Sequence, residues 1–137
     1  MMRNIATCLV ALGFVASCAS TGVGLRSASD RLDESSDMFY RQLDRDRASR
    51  DTVDDAARLA EASHDFNREV SDGRGPDVLV PIFDRIAERY HELREEVDDR
   101  DNDYRYREAG FDRVTEAYLD VERAMDRQYG RRSSYRY

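Results

Sequence analysis

From Leu32 onward a stripe of apolar and small residues recurs at alternating steps of four and three: Leu32, Ser36, Phe39, Leu43, Asp46, Arg50, Val53, Ala57, Ala60 and His64. That spacing keeps one helix face turned toward a partner, with a polar interruption at Asp46 and Arg50. A second stripe runs Leu79, Phe83, Ile86, Tyr90, Leu93, Val97, Arg100, Tyr104, Arg107, Phe111, Val114, Tyr118, Val121 and Met125 without a slip of phase. Between them lies Asp72-Gly73-Arg74-Gly75-Pro76, the one cluster of helix breakers in the middle of the chain. Glycine supplies a left-handed cap there and proline forbids helical continuation. The pattern predicts an all-α chain with helices over 30–72 and 77–129 joined by a turn at 73–76.

Local chemistry agrees with these limits. Ser29 or Asp30 can accept hydrogen bonds from the unpaired amides of the first helix, and Asp77 can do the same for the second. Pro81 is tolerable only in or next to a first turn, where amides lack intrahelical partners. Gly110 costs about 1 kcal/mol relative to alanine and reads as a weak point rather than a stop.

Two long helices around a tight breaker make an antiparallel, coiled-coil-like hairpin, a rod of roughly 60 Å at about 1.5 Å rise per residue. Reflecting the chain about Arg74 sets Phe39 near Phe111, Leu43 near Tyr104, and Leu32 near Val114 or Tyr118. The same reflection lays Asp46 and Arg50 opposite the run Asp98 to Asp103, so opposite charges can pair where both stripes lose their apolar residues. The competing architecture bends both limbs at these levels into a compact four-helix bundle. No glycine or proline lies between Leu43 and Thr52 to favour such a turn, although Thr52 with Asp55 imitates a capping box. An isolated charged hairpin buries little surface, so dimerisation or support from another protein would stabilise it.

The first residues follow a different rule. One cation, Arg3, precedes a run of weakly polar to apolar residues from Ile5 to Ala16, laid out as a secretory signal and short for a membrane span. The run stops at Val15-Ala16-Ser17-Cys18. This segment resembles the signal of bacterial lipoproteins, whose cleavage box is an aliphatic residue, two small residues and the cysteine that receives lipid. Val15 stands where leucine is commoner. The resemblance covers the first eighteen residues and implies that residues 1–17 are removed and Cys18 carries acyl groups, palmitate among them, that fix the chain to a membrane. By the sorting rule of enteric bacteria, Ala19 in place of aspartate implies the periplasmic face of the outer membrane rather than the inner membrane. Residues 18–29, rich in serine and glycine, read as a flexible tether between lipid and fold.

Composition narrows the partners. The chain carries a formal charge of −7, and loss of Arg3 with the signal makes it more negative still. Phosphate backbones need a concentrated positive surface, so nucleic acid is not an expected partner. Every basic residue is arginine, so attachment to peptidoglycan through a C-terminal lysine is not expected. Cys8 leaves with the signal, so no disulfide forms within the mature chain.

Candidate chemistry is sparse. His64 and His91 fall at different levels of the reflected hairpin and cannot easily share a metal. Asp99, Asp101 and Asp103 are spaced like calcium ligands, but Tyr104 and Gly110 occupy the positions of the required glycine and bidentate glutamate. No nucleophile, base or metal set is named by spacing, no cofactor is expected, and the reading is non-enzymatic. The candidates for contact are the turn residues Gly73, Arg74 and Gly75 and a basic aromatic tail, Arg131, Arg132 and Arg136 interleaved with Tyr135 and Tyr137. In the hairpin that tail returns to the tethered end, where it would touch anionic head groups. The sequence therefore points to a lipid-anchored helical adaptor for a periplasmic protein or peptidoglycan. The alternative is a lipid-binding or client-holding protein whose Phe39, Phe66, Phe83, Tyr90 and Phe111 line an apolar groove.

Overall fold

The structure, a computed structural model, describes residues 20–98, 106 and 109–130, with side chains from residue 24 onward. It is all-helical among those residues: α1 spans Ser20–Arg45, α2 Arg50–Ser71, α3 Pro76–Asp98 and α4 Phe111–Tyr129. α1 packs on α2 and on α4, and α2 packs on α3. α3 and α4 meet through their rings, Tyr90 stacking on Tyr118 at 4.1 Å between centroids. The ring of four closes into a compact up-down-up-down bundle, the second of the two architectures the pattern allows.

The bundle is the expected hairpin folded across its middle. Phe39 does meet Phe111, at 5.5 Å, and Phe66 meets Phe83 at 6.0 Å, both pairs related by reflection about the 73–76 turn. A second set of pairs reflects about residues 46–49: Ser36 Oγ lies 3.3 Å from Ser63 Oγ, and Ser29 donates to Asn67 Oδ1 at 3.0 Å. A straight limb cannot make them. The pair Leu43 and Tyr104, and the opposition of Asp46 and Arg50 to the whole run Asp98 to Asp103, fall partly outside the described residues.

The bend that splits the first limb is built without glycine. Ala48 N–H donates to Leu43 O at 3.1 Å and Arg47 N–H to Asp44 O at 3.3 Å, the paired bonds that close a helix with a left-handed residue. Arg47 takes that conformation, φ 52°, where glycine would be unstrained. Ser49 then caps α2, accepting from Thr52 N–H at 3.3 Å. The same closure recurs at the expected breaker, with Arg74 N–H on Glu69 O at 3.0 Å and Gly73 at φ 72°. There Gly75 caps α3, whose first residue is Pro76, and Pro81 lies inside the helix on its exposed side.

Four further expectations are corrected. The second limb is not one helix: α3 ends at Asp98, and Gly110 opens α4 with φ 104°, a stop rather than a weak point. Residues 20–29, read as part of a tether, belong to α1, and Leu25, Ala28 and Ser29 are buried. The helix expected over 30–72 therefore starts earlier and divides at 46–49. Finally, the stripe drawn through that bend loses its phase. α2 buries Thr52, Ala56, Leu59, Ser63 and Phe66, while Val53, Ala57 and Ala60 are half-buried and His64 is exposed, one position out of step.

Burial explains why the folded form wins. Each helix turns adjacent residues inward together: Ala28 and Ser29, Ala62 and Ser63, Ile86 and Ala87, Ala117 and Tyr118, Ala124 and Met125. Such pairs make the apolar face wider than the seam of a two-helix coil, and only two neighbours can cover it. Each large side chain so buried contributes about 1.5–3 kcal/mol.

Two predictions follow from the bends. With Cys8 and Cys18 replaced, Ser36→Cys together with Ser63→Cys should form an intramolecular disulfide on oxidation, seen as a faster monomer band on a non-reducing gel; in a straight limb these residues, 27 apart, stand about 40 Å from each other. In thermal or urea melts, Arg47→Gly should raise stability by about 0.5–1 kcal/mol and Gly110→Ala lower it by about 1–2 kcal/mol, each by changing a left-handed residue.

Candidate functional site

Alternating helix directions put the start of α1, the Gly73 to Pro76 turn and the end of α4 at one end of the bundle. Arg127, in the last turn of α4, lies within 4.0 Å of where a Cβ on Gly24 would stand, which fixes that proximity. Of the sequence candidates, Gly73, Arg74 and Gly75 are at this end, with the Arg74 guanidinium 3.5 Å from Glu69. Cys18, Arg131, Arg132 and Arg136 lie outside the described residues. The opposite end carries the 46–49 turn and the start of α4.

The rings do not line an open groove. Phe39, Phe66, Phe83, Tyr90 and Phe111 are all 6% exposed or less. They form a continuous run through the core: Phe39 on Phe111, Phe111 on Tyr90, Tyr90 on Tyr118, Tyr118 on Phe83 and Phe83 on Phe66. Tyr90 places its hydroxyl on Thr115 Oγ1 at 3.2 Å, so its polar end stays bonded while its face is buried. Met38, 42% exposed, is the large apolar side chain that faces solvent among the described residues.

Two open grooves flank α2. One, of about 410 Å³ between α2 and α3, is lined by Asp55, Arg58, Arg89, Glu92, Glu95 and Glu96. Its arginines are engaged, Arg58 with Asp55 at 3.2 Å and Arg89 with Glu92 at 2.8 Å. The other, of about 570 Å³ between α1 and α2, has Tyr40, Ala57 and Ala60 for its apolar part and five carboxylates around them, Asp30, Asp33, Glu34, Asp37 and Glu61. Small residues at 57 and 60 make this groove, because they leave room where larger side chains would close the helix seam.

The carboxylates of the larger groove are unevenly compensated. Asp37 pairs with Arg41 at 2.9 Å, and Asp33 accepts from Asn67 at 3.1 Å and lies 3.3 Å from His64 Nδ1. Asn67 in turn accepts from buried Ser29, so a polar clasp ties α1 to α2 below the groove. Asp30, Glu34 and Glu61 make no ion pair among the described residues. No group of three histidine, cysteine, aspartate or glutamate residues among those described is placed to hold a metal ion. Sequence reading passed over this groove because it assigned Ala57, Ala60 and His64 to the core stripe; the slip of phase at residues 46–49 turns them outward.

His91 stands apart from His64, on α3, with its ring edge-on to Tyr90 at 5.3 Å and to Tyr118 at 6.1 Å. Partial burial and then the charge of Arg94 hold its pKa below the ordinary histidine value, against the opposing pull of Glu122 and Glu95. Comparison with family models, with curated proteins and with solved structures returned no match.

The titration has a definite sign. A histidine whose folded pKa is depressed binds fewer protons in the native state, so its contribution is fully present above the unfolded value near 6.5 and is lost as pH falls from there through the folded pKa. Urea melts of the wild type and His91→Gln between pH 7.5 and 5 should show the wild type losing more stability on acidification. Parallel curves would remove His91 from the pH response.

Proposed function

We propose that this chain is a lipid-anchored, non-enzymatic helical module of the bacterial envelope, held by Cys18 and presenting the sides and far end of its bundle to a periplasmic partner. The observation that carries the reading is the spacing between signal and fold. The lipoprotein-like box ends at Cys18 and α1 begins at Ser20, so an acylated cysteine would sit directly beneath the bundle with no long tether. No helix among the described residues is long and apolar enough to cross a membrane.

This geometry changes which surface faces outward. In a rod, the Gly73 to Pro76 turn would project into the periplasm; in the bundle it lies at the anchored end, so Arg74 stands at head-group level beside the exit of α4. The 46–49 turn becomes the projecting tip, about 39 Å away along the 26 residues of α1. Exposed arginine and aspartate on the flanks would set register with a partner, while affinity requires apolar contact that this surface offers sparingly. Peptidoglycan or a protein of an envelope assembly fits such a surface, as does a second copy of the chain.

The client-holding alternative needs the aromatic rings to open. Their mutual stacking and burial favour the packed, adaptor reading, because exposing even three of them would cost about 5–9 kcal/mol.

Replacing Cys18 with Ala should abolish labelling by fatty acid and move the protein from the membrane fraction to the soluble fraction of lysed cells. Persistent membrane attachment in that variant would refute the anchor.

A further inference from the structure

We propose that the acidic groove between α1 and α2 is the docking site of the chain's own basic aromatic segment, residues 131–137. Two features of the groove match that segment and not the rest of the chain. Its carboxylates exceed its cations: five face the single guanidinium of Arg41 together with His64, and Asp30, Glu34 and Glu61 have no ion-pair partner among the described residues. The neighbouring groove balances its four carboxylates with two arginines, each paired within it, Arg58 with Asp55 and Arg89 with Glu92. The second feature is an apolar strip, with half-buried Tyr40, Ala57 and Ala60 offering flat, shallow surface between the charges. Arg131, Arg132 and Arg136 supply guanidinium groups for carboxylates, and Tyr135 and Tyr137 supply rings for an alanine floor, against which planar side chains bury area at small entropic cost.

The path is short enough. α4 leaves the bundle at Gly130, at the end where α1 begins, because Arg127 is level with Gly24 and Asp120 pairs with Arg31 at 2.8 Å. Asp30 stands about 14 Å higher along α1 than Gly130, and crossing the face of that helix adds about 10 Å sideways, so the straight distance is about 17 Å. Seven extended residues reach about 23 Å. The tyrosines at 135 and 137 therefore arrive at the mouth of the groove near Asp30 and His64, with the guanidinium groups of 131 and 132 along the approach. Docking in this way would draw the basic segment away from head groups and cover the one strip of half-buried small residues that the bend at 46–49 turns outward.

The test is crosslinking in intact cells, with a photoreactive phenylalanine analogue in place of Tyr135 in the full chain. Mass spectrometry should find an adduct within one chain, joining residue 135 to the segment 30–41 or 57–64. Its yield should fall about fivefold in a variant carrying Asp30→Asn, Glu34→Gln and Glu61→Gln, the loss expected from removing the exposed carboxylates that attract the basic segment. These side chains are on the surface, and an unchanged melting temperature shows that the fold survives; raising salt to about 0.5 M on isolated membranes gives the same loss without any substitution. Adducts to lipid, adducts only between two copies of different tagged length, or an intrachain adduct indifferent to both the variant and salt would each overturn the proposal. The result is independent of the anchor, since Cys18→Ala leaves both groove and tail in place.

Discussion

Everything in this bundle depends on the reversal at residues 46–49. Leu43 O and Asp44 O are satisfied by the amides of Ala48 and Arg47, and four residues after Arg45 the side chain of Ser49 accepts from the Thr52 amide in the first turn of α2. Helix ends carry unpaired backbone groups, and a chain can turn only where those groups find partners. Once this reversal exists, Ser36 faces Ser63 and Asn67 reaches both Ser29 and Asp33. The strain of a left-handed arginine, about 1–2 kcal/mol, is small beside the apolar faces it allows to meet.

The seams of the bundle differ in chemistry, and the difference has consequences. Between α1 and α2 the facing residues are small and hydroxylated, so the helices approach closely and the outer edge of the seam opens as a shallow groove lined by carboxylates. Between α3 and α4 the residues are aromatic, and stacked rings set the spacing. Polar satisfaction on one side and ring stacking on the other fill a core that a chain without tryptophan, 37% of it charged, could not build from aliphatic residues alone. The surface that remains is laced by exposed arginine and carboxylate pairs at helical spacing, each worth little to stability and much to solubility. In the groove between α1 and α2 three carboxylates, Asp30, Glu34 and Glu61, stand without an ion pair among the described residues.

Phase carried more information than the presence of helix breakers. The second limb keeps its heptad phase from Leu79 to Met125, yet Gly110 stands in the left-handed region at the start of α4, so continuity of phase did not mean continuity of helix. The first limb contains no glycine or proline at its bend, yet there the phase slips by one position, from a stripe through Val53, Ala57 and Ala60 to a core through Thr52, Ala56 and Leu59. Leu59 and Phe66, large apolar residues lying off the drawn stripe, were the legible sign of that slip. Neighbouring apolar pairs such as Ile86 and Ala87 were a second sign, since a seam between two helices has no use for both.

What the amino-acid sequence determined by itself is local: helical periodicity, the breaker at Gly73 to Pro76, and the mirror relation that sets Phe39 against Phe111 all follow from spacing and backbone chemistry within a few residues. Whether the mirrored limbs stay straight or fold was decided by tertiary structure. That choice rests on the width of apolar face each helix must cover, a property of four helices considered together. The same choice placed the Gly73 to Pro76 turn at the end where α1 begins and turned Ala57, Ala60 and His64 toward solvent. Local pattern names the residues that can face a partner; packing settles which partner they face.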